Sequence, residues 1–262
     1  MVQTTEKTTT IQKTTTIQSV ERAVRIMLAI ATAPDGLSVK EVASRFELTV
    51  PTAYHLLTTL VAEGMLTKDQ RRRYVQGPLA AVIAEAVSRD VRPAQRYVDA
   101  LEDLAKQTGE TAYLSGWRGG QVTILRAVEG AHAVRVAGLT PGYSDNLHAR
   151  ASGKLLLAFA RDDVRDEQLR SMHLNKLTPN TLTTKRALEQ ELSRIKNQGL
   201  AHDAEEFAVG VHCVAAPIME HGLVVACLTI SVPAGRYRAH ESQIVSQLLL
   251  SAQAASHEQQ AG

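Results

Sequence analysis

SVKEVASRFELTVPTAYHLLTTLVAEGMLTKDQRRRYVQ, residues 38–76, decides how the first part of this chain folds. Ser38 is a helix N-cap by type, and Glu41 stands three residues on, the spacing of a capping box. Val39, Val42, Ala43 and Phe46 then mark the inner face of a short helix. After Glu47-Leu48-Thr49 the spacing predicts a second helix from about Val50 to Glu63. In it Ala53, Leu56, Leu57 and Leu60 face inward, Thr52, His55 and Thr59 face out, and Tyr54 and Thr58 sit at the margin. Gly64 ends it. Two short β-like runs follow, Met65 to Lys68 and Arg73 to Gln76, joined by the polar turn Asp69-Gln70-Arg71-Arg72.

Upstream, Val20, Ala23, Val24, Met27, Leu28 and Ala31 recur at helical steps, Ser19 can cap, and Pro34-Asp35-Gly36 stops the helix. Three short helices and a basic hairpin form the winged helix-turn-helix pattern. Any small three-helix bundle shows such periodicity, and an arginine run is often only a solvated face. The DNA-binding reading has a specific physical content. One helix braces the next, which must present short side chains to base edges in a major groove about 12 Å wide, while the hairpin carries cations to phosphates. The candidate DNA-contacting residues are therefore Thr49, Pro51, Thr52, Tyr54, His55 and Thr58 on the helix, with Arg71, Arg72 and Arg73 on the wing.

Charge is distributed to match. The chain has 29 Lys+Arg and 27 Asp+Glu, a formal net charge of +2. Residues 1–18 carry +1, residues 19–78 carry +2 and residues 79–262 carry −1, but 64–78 alone holds four cations against Asp69. This excludes a broadly basic nucleic-acid coat and leaves a local basic spot. At 262 residues, 44% apolar and 21% charged, the chain can bury two cores. Two cysteines exclude a disulfide-rich secreted scaffold. Apolar runs such as Leu223 to Leu228 fall far short of the roughly 18–20 residues a membrane span needs. The N-terminus lacks a signal-type apolar core, so a cytoplasmic protein without membrane contact is expected. Residues 1–18, where Lys-Thr-Thr-Thr-Ile-Gln occurs twice, read as a disordered tail.

The predicted division is thus a tail over 1–18, the winged domain over 19–78, a linker helix over 79–92 and a second domain over 93–262. The linker shows Leu79, Val82, Ile83, Ala86 and Val87 on one face and reads as helix from Leu79 to Val91. A helix over about Ala94 to Thr108 follows. Strands are expected at Glu110–Trp117 and Gln121–Glu129, around Arg118-Gly119-Gly120, and at Ala133–Val136. Later come helices from Ser152-Gly153 to about Ala160, over Val164–Met172, and from a Thr183/Thr184 cap to Gln198. Strands His212–Ile218 and Leu223–Val232 and the helix Arg238–Ala255 close the chain. Strands and helices without regular βαβ alternation give an α+β domain with a mainly antiparallel sheet.

With both halves read, the sequence resembles the IclR family of bacterial transcriptional regulators over essentially all of 19–257. The residues that carry the resemblance are Ser19-Val20-Glu21-Arg22-Ala23, Gly36-Leu37-Ser38, His148-Ala149-Arg150-Ala151-Ser152-Gly153-Lys154, and Gly210-Val211-His212-Cys213-Val214-Ala215-Ala216-Pro217-Ile218. The resemblance implies a GAF-like effector-binding domain, homodimers formed through the N-terminal halves, and often homotetramers. It implies effector contacts at Ala151, Ser152, Asp203, Cys213, Thr229 and Ser231. Thr229 and Ser231 lie i and i+2 on one predicted strand and so share a face. Hydroxyls beside helix N-terminal N–H groups suit a small carboxylate-bearing or aromatic-acid-type metabolite. Asp203 fits such a ligand poorly and is expected to accept from a ligand hydroxyl or N–H, or from a neighbouring backbone N–H.

The sequence also departs from the family pattern. Val50 and His55 stand where relatives commonly carry cations, Pro51 where serine is usual, and Thr229 where serine is frequent. Proline in a first helical turn is tolerated because its N–H would be unpaired anyway. The expectation is a ligand-responsive regulator of operator DNA, acting as a repressor, with an atypical operator and much of the affinity on the wing.

The residues bear on two rival readings, an enzyme and a metal sensor. His212 and Cys213 are neighbours on a strand and point to opposite faces, so they cannot pair as base and nucleophile. No Gly-x-Ser-x-Gly elbow, phosphate loop or dinucleotide fingerprint occurs, so neither catalysis nor a cofactor is expected. His202, His212, Cys213, His221 and His240 cluster in the last third, which keeps a metal-responsive DNA-binding regulator as the alternative, though their spacing fits no recognised ligand motif.

Overall fold

The computed structural model describes residues 17–90, 93–133 and 140–256. The expected tail up to residue 16, the expected strand Ala133–Val136 beyond its first residue, and the linker at 91–92 lie outside the described residues. The chain forms two compact units that divide between Val87 and Ser88.

The first unit holds α1 (Gln18–Ala31), α2 (Val39–Arg45), α3 (Val50–Ala62), β1 (Leu66–Lys68) and β2 (Tyr74–Gln76), and α4 (Pro78–Asp90) begins in it. Ile26, Ile30, Val42, Ala53, Leu57, Leu60, Leu66 and Tyr74 form its core. Burying each large apolar side chain contributes about 1.5–3 kcal/mol. At α2 the capping box forms as predicted: the Glu41 N–H donates to Ser38 Oγ, and the Ser38 N–H donates to the Glu41 carboxylate at 2.6 Å. At α1 the expectation of a Ser19 cap is corrected. The helix begins at Gln18, with Ile17 at the N-cap and no side-chain cap bond. The two-stranded wing gains a third short segment, because Leu37 and Tyr74 exchange backbone hydrogen bonds of 3.0 and 2.8 Å.

The second unit comprises α5 (Gln95–Thr108), β3 (Thr111–Arg118), β4 (Gln121–Val128), a 3₁₀ turn (Leu147–Ala149), α6 (Ala151–Ala158), α7 (Asp162–Ser171), α8 (Lys185–Gln198), β5 (Ala201–Ala204), β6 (Val211–Glu220), β7 (Leu223–Pro233) and α9 (Ala234–Ala255). The sheet order is β4-β3-β7-β6-β5, and every neighbouring pair is antiparallel. Strand alternation separates two layers. Ala112, Leu114, Val214, Ala216, Leu228, Ile230 and Val232 pack with Leu101 and Leu104 of α5 and Ile244 and Leu248 of α9. On the opposite face Cys213, Ala215 and Cys227 pack with Leu155 and Leu156 of α6 and Leu188, Leu192 and Ile195 of α8. The architecture is α+β, as the sequence predicts.

Three details differ from the expectation. β5 has only four residues, too few to show a period. The last helix starts at Ala234 rather than Arg238, because a break at His240 (φ −131°, ψ 21°) interrupts it and hides its first turns from a periodicity reading. The strand placed at Glu110–Trp117 runs one residue later at both ends, with Glu110 outside the ladder.

One polar cluster interrupts the α9 face. His202 of β5 lies 3.3 Å from His212 of β6, whose ring stacks on Tyr237 at 3.7 Å between centroids, and the Tyr237 hydroxyl donates to Glu241. Burial, then the His202 charge, lowers the His212 pKa to about 4. Arg238 and Lys154 push the same way, and Glu205 opposes them. An unfolded histidine titrates near 6.5, so below that pH the unfolded chain takes up the proton first. The contribution is complete above about pH 6.5 and is lost as pH falls toward about 4. Thermal unfolding followed between pH 7.5 and 4.5 is therefore expected to show falling stability, with a shallower fall in His212→Gln. An unchanged slope in that variant would count against the histidine as its source.

Candidate functional site

The exposed face of α3 is built from its first turn. Thr49 caps the helix: its hydroxyl accepts from the Thr52 N–H and lies 2.8 Å from the Thr52 hydroxyl. Pro51 occupies the second helical position, where it breaks no internal hydrogen bond. Pro51, Thr52, Tyr54, His55 and Thr58 are all exposed, while Ala53, Leu57 and Leu60 anchor the opposite side. Tyr54 and Thr58, expected at the margin, stand fully on the open face. The Tyr54 ring meets His55 edge-on, and Lys68 of the wing lies 5.9 Å from its centroid. That lysine is exposed and joins the wing to the helix surface, a contact that strand periodicity could not reveal.

The three wing arginines are not equivalent. The turn is closed by Asp69, whose carboxylate accepts from the Arg73 N–H at 2.7 Å, and Arg72 adopts a left-handed φ of 60°. Arg71 and Arg72 are exposed. Arg73 instead turns back into the domain. Its guanidinium donates to the Asp35 and Gly36 carbonyls at 2.9 and 3.0 Å and pairs with Glu41 at 2.9 Å. The geometry ties Arg73 to the wing's own attachment and leaves Arg71, Arg72 and Lys68 as the outward cations.

In the second unit all six expected effector residues are buried, and the sheet register gathers four of them on the α6 side. Cys213 pairs with Ser231 across β6–β7, with Sγ and Oγ 3.1 Å apart. Asp203 pairs with Cys213 across β5–β6. Thr229, two residues before Ser231, faces Tyr113 of β3. Ala151 and Ser152 open α6, which has no side-chain cap at its N-terminus. A Cβ on Gly153 would lie 2.2 Å from the Leu147 carbonyl, so glycine there lets the 3₁₀ turn close onto the helix.

Asp203 is held locally, as one of its two expected roles requires. Its Oδ1 accepts from the Glu206 and Phe207 N–H groups at 2.7 and 3.1 Å, and burial raises its pKa. The same loop is fixed elsewhere: the Thr178 and Thr181 hydroxyls each donate at 2.7 Å to the Glu205 and Glu206 carbonyls respectively. Fully buried Lys154 donates to the Glu206 carboxylate. Phe207 then meets Tyr143 edge-on at 6.1 Å. Burial pushes the Cys213 thiol far up, so it is an uncharged packing group.

The sheet face also carries polar atoms that find no hydrogen-bond partner. Tyr113 Oη, Ser115 Oγ and Thr229 Oγ1 are buried on adjacent strands without a well-formed hydrogen bond, although Tyr113 lies near Ser231 and Thr229 near Cys227. Nε and Nη1 of Arg150, the residue before α6, are likewise buried without one. Buried polar groups are almost always satisfied, so these atoms stand out from the rest of the core. Tyr113 and Ser115 were not expected from the sequence. Their hydroxyls gain meaning only when β3 is placed beside β7. Among the described residues no group of three or more His, Cys, Asp or Glu is arranged to hold a metal, and no helix is long and apolar enough to cross a membrane.

A helix-turn-helix with a basic wing, joined to a sheet domain with a polar buried face, defines the class of two-domain transcription regulators. Residues 19–70 match the IclR helix-turn-helix domain, and residues 86–257 match the C-terminal domain of bacterial transcriptional regulator IclR. The chain belongs to the IclR family of bacterial transcriptional regulators, whose members are DNA-binding regulators and not enzymes. It is 36% identical over 217 residues to the HTH-type transcriptional regulator BhcR of Paracoccus denitrificans, covering 82% of this chain and 77% of that one. It is 29% identical over 220 residues to XynR of Escherichia coli, covering 83% and 87%. Among solved structures it is similar to the Thermotoga maritima IclR (31% identity, TM-score 0.58, 91% of this chain and 97% of that one).

The division of labour in the wing has a measurable consequence. Arg73→Ala removes two bonds to backbone carbonyls and a partly exposed ion pair, and is expected to lower the unfolding free energy by about 1 kcal/mol. Arg72→Ala should leave it nearly unchanged. Chemical denaturation of both variants checks this, and equal losses would sink the distinction.

Proposed function

We propose that this chain is a ligand-responsive repressor that binds operator DNA as a dimer or tetramer through α3 and the wing, and is released by a small acid-bearing metabolite bound on the α6 side of the sheet. The observation that carries the reading is the set of unpartnered buried hydroxyls beside Cys213, Ser231 and the uncapped start of α6. A domain that kept these groups only for stability would have satisfied them internally.

Thr49, Pro51, Thr52, Tyr54, His55 and Thr58 supply the base-facing surface, and Arg71 and Arg72 grip phosphates. Self-association is supported by two exposed apolar stripes in the first unit: Ile17 at the N-cap with Val20 and Val24 of α1, and Leu79, Val82 and Ile83 on α4. Two α3 helices in a dimer address half-sites about one helical turn apart, or a multiple of it. α4 runs from the first unit into the second and is the covalent route between ligand and DNA. A coupling of about 1–3 kcal/mol would alter DNA affinity roughly 5- to 150-fold, provided the effector binds the two states unequally.

Two experiments test the halves separately. For Arg72→Ala, operator binding measured at several salt concentrations is expected to weaken across sequences, with the salt slope reduced by about 1. An unchanged slope would remove the residue from the phosphate contacts. For Ser231→Ala, the concentration of small acid needed to release the operator complex is expected to rise about tenfold, the loss of roughly one hydrogen bond to a charged group. An unaltered dose response would take Ser231 out of the effector site.

A further inference from the structure

The recognition helix of a helix-turn-helix contacts base edges mainly with its N-terminal residues. In the major groove those edges are read by hydrogen bonds and by apolar contact with the thymine methyl. The strong hydrogen-bonding pairs use arginine or lysine on guanine and asparagine or glutamine on adenine. α3 and its Thr49 cap contain none of these four residue types. The side chains of this helix therefore make no bidentate contact to either purine. His55 can add a single hydrogen bond to a base edge, and no fork.

The first turn offers carbon instead. Val50, at the first helical position, is 47% exposed, and Pro51 and Thr52 beside it are exposed too. The polar groups of the same turn are committed to one another. Thr49 Oγ1 accepts from the Thr52 N–H and lies 2.8 Å from the Thr52 hydroxyl, so these two oxygens share a hydrogen bond. The Ala53 N–H donates to the Thr49 carbonyl at 3.0 Å, and proline has no N–H to give. A phosphate at this helix end would find at most the Val50 N–H, far fewer donors than an anion-binding helix start presents. The turn is thus poor in charge and in donors, and rich in exposed methyl and methylene groups.

An apolar edge on the helix end that enters the groove meets one apolar group among the base edges, the C5 methyl of thymine. We propose that α3 reads thymine methyl groups through Val50, Pro51 and the Thr52 methyl, so that thymine, and not guanine, is the base fixed under its first turn. This rests on α3 as the base-reading helix, proposed above, and adds to it the base that is read. Cytosine at the same place presents its N4 amino donor and no methyl. Packing Val50 and Pro51 against that donor would strip it of water and give it no acceptor, which disfavours a C·G pair.

The full chain is used to select duplexes from a random-sequence pool. Thymines of the selected half-site are then replaced one at a time by deoxyuridine, which keeps the base pair and removes only the methyl. Fixed thymines are expected in the half-site, and replacing one that lies under α3 should weaken binding about three- to fivefold. V50S and T52S should each weaken binding to the unaltered duplex by a similar factor and abolish the deoxyuridine penalty at one position, because that contact is already gone. The deoxyuridine series uses the unaltered protein and decides the matter even if a variant fails to fold. Half-sites fixed only by guanine or cytosine, or affinity unchanged by every replacement, would overturn the methyl reading. If V50S, T52S and H55A then select sequences different from the unaltered chain, α3 remains the base-reading helix and only the methyl contacts are discarded. The same selected sequence from all three variants, or no enrichment at all, would remove α3 as the reader and this proposal with it.

Discussion

The long antiparallel pairing of β6 with β7, from Val211 opposite Pro233 to Glu220 opposite Leu223, is the constraint on which the second unit depends. Side chains alternate along a strand, so the register of this pair sorts the residues of both strands up to the shift between Ile218 and Met219. Val214, Ala216, Leu228 and Ile230 are sent to the α5–α9 side, and Cys213, Cys227, Thr229 and Ser231 to the other. A slip of one residue would bury the hydroxyls among the leucines of α9 and leave isoleucine and leucine at the polar face. The apolar packing of one face and the polar character of the other thus follow from one alignment. The first face has no polar ambitions apart from the His202–His212 pair, and so can supply most of the hydrophobic free energy. The second tolerates unsatisfied groups because the first has already secured the fold.

Much of this was readable from the chain. Ser38 and Glu41 announced a capping box by type and spacing, and both bonds form. The periodicity of α3 fixed its inner face, and Thr229 and Ser231 shared a face by simple alternation. What was not readable depends on backbone groups or on the absence of a partner. The Arg73 side chain finds the carbonyls of Asp35 and Gly36, nearly forty positions away, and carbonyls carry no sequence signature. The surroundings of Arg150 are no more legible, since its acceptors are the carbonyls of Val122 and Ser144. Asp203 was partly legible: acceptance from neighbouring N–H groups was one of its two expected roles, but the short β5 that positions it has no period to detect.

The two units handle positive charge in opposite ways. On the DNA-facing side α3 offers threonines, a histidine and a tyrosine, and positive charge is displaced to the exposed wing, where water screens it cheaply. In the second unit Arg150 is enclosed, where screening is weak, and its charge is answered by two backbone carbonyls, the Tyr143 ring and nearby Asp145.

Glu41 closes the capping box of α2 and, through its other oxygen, holds Arg73 of the wing. The brace helix and the hairpin therefore share a single carboxylate, and neither can be inherited independently of the other. Transplanting a wing from a relative to redirect this regulator would succeed only if residue 41 travelled with it, whereas Arg71 and Arg72 can be redrawn without disturbing the frame that presents them.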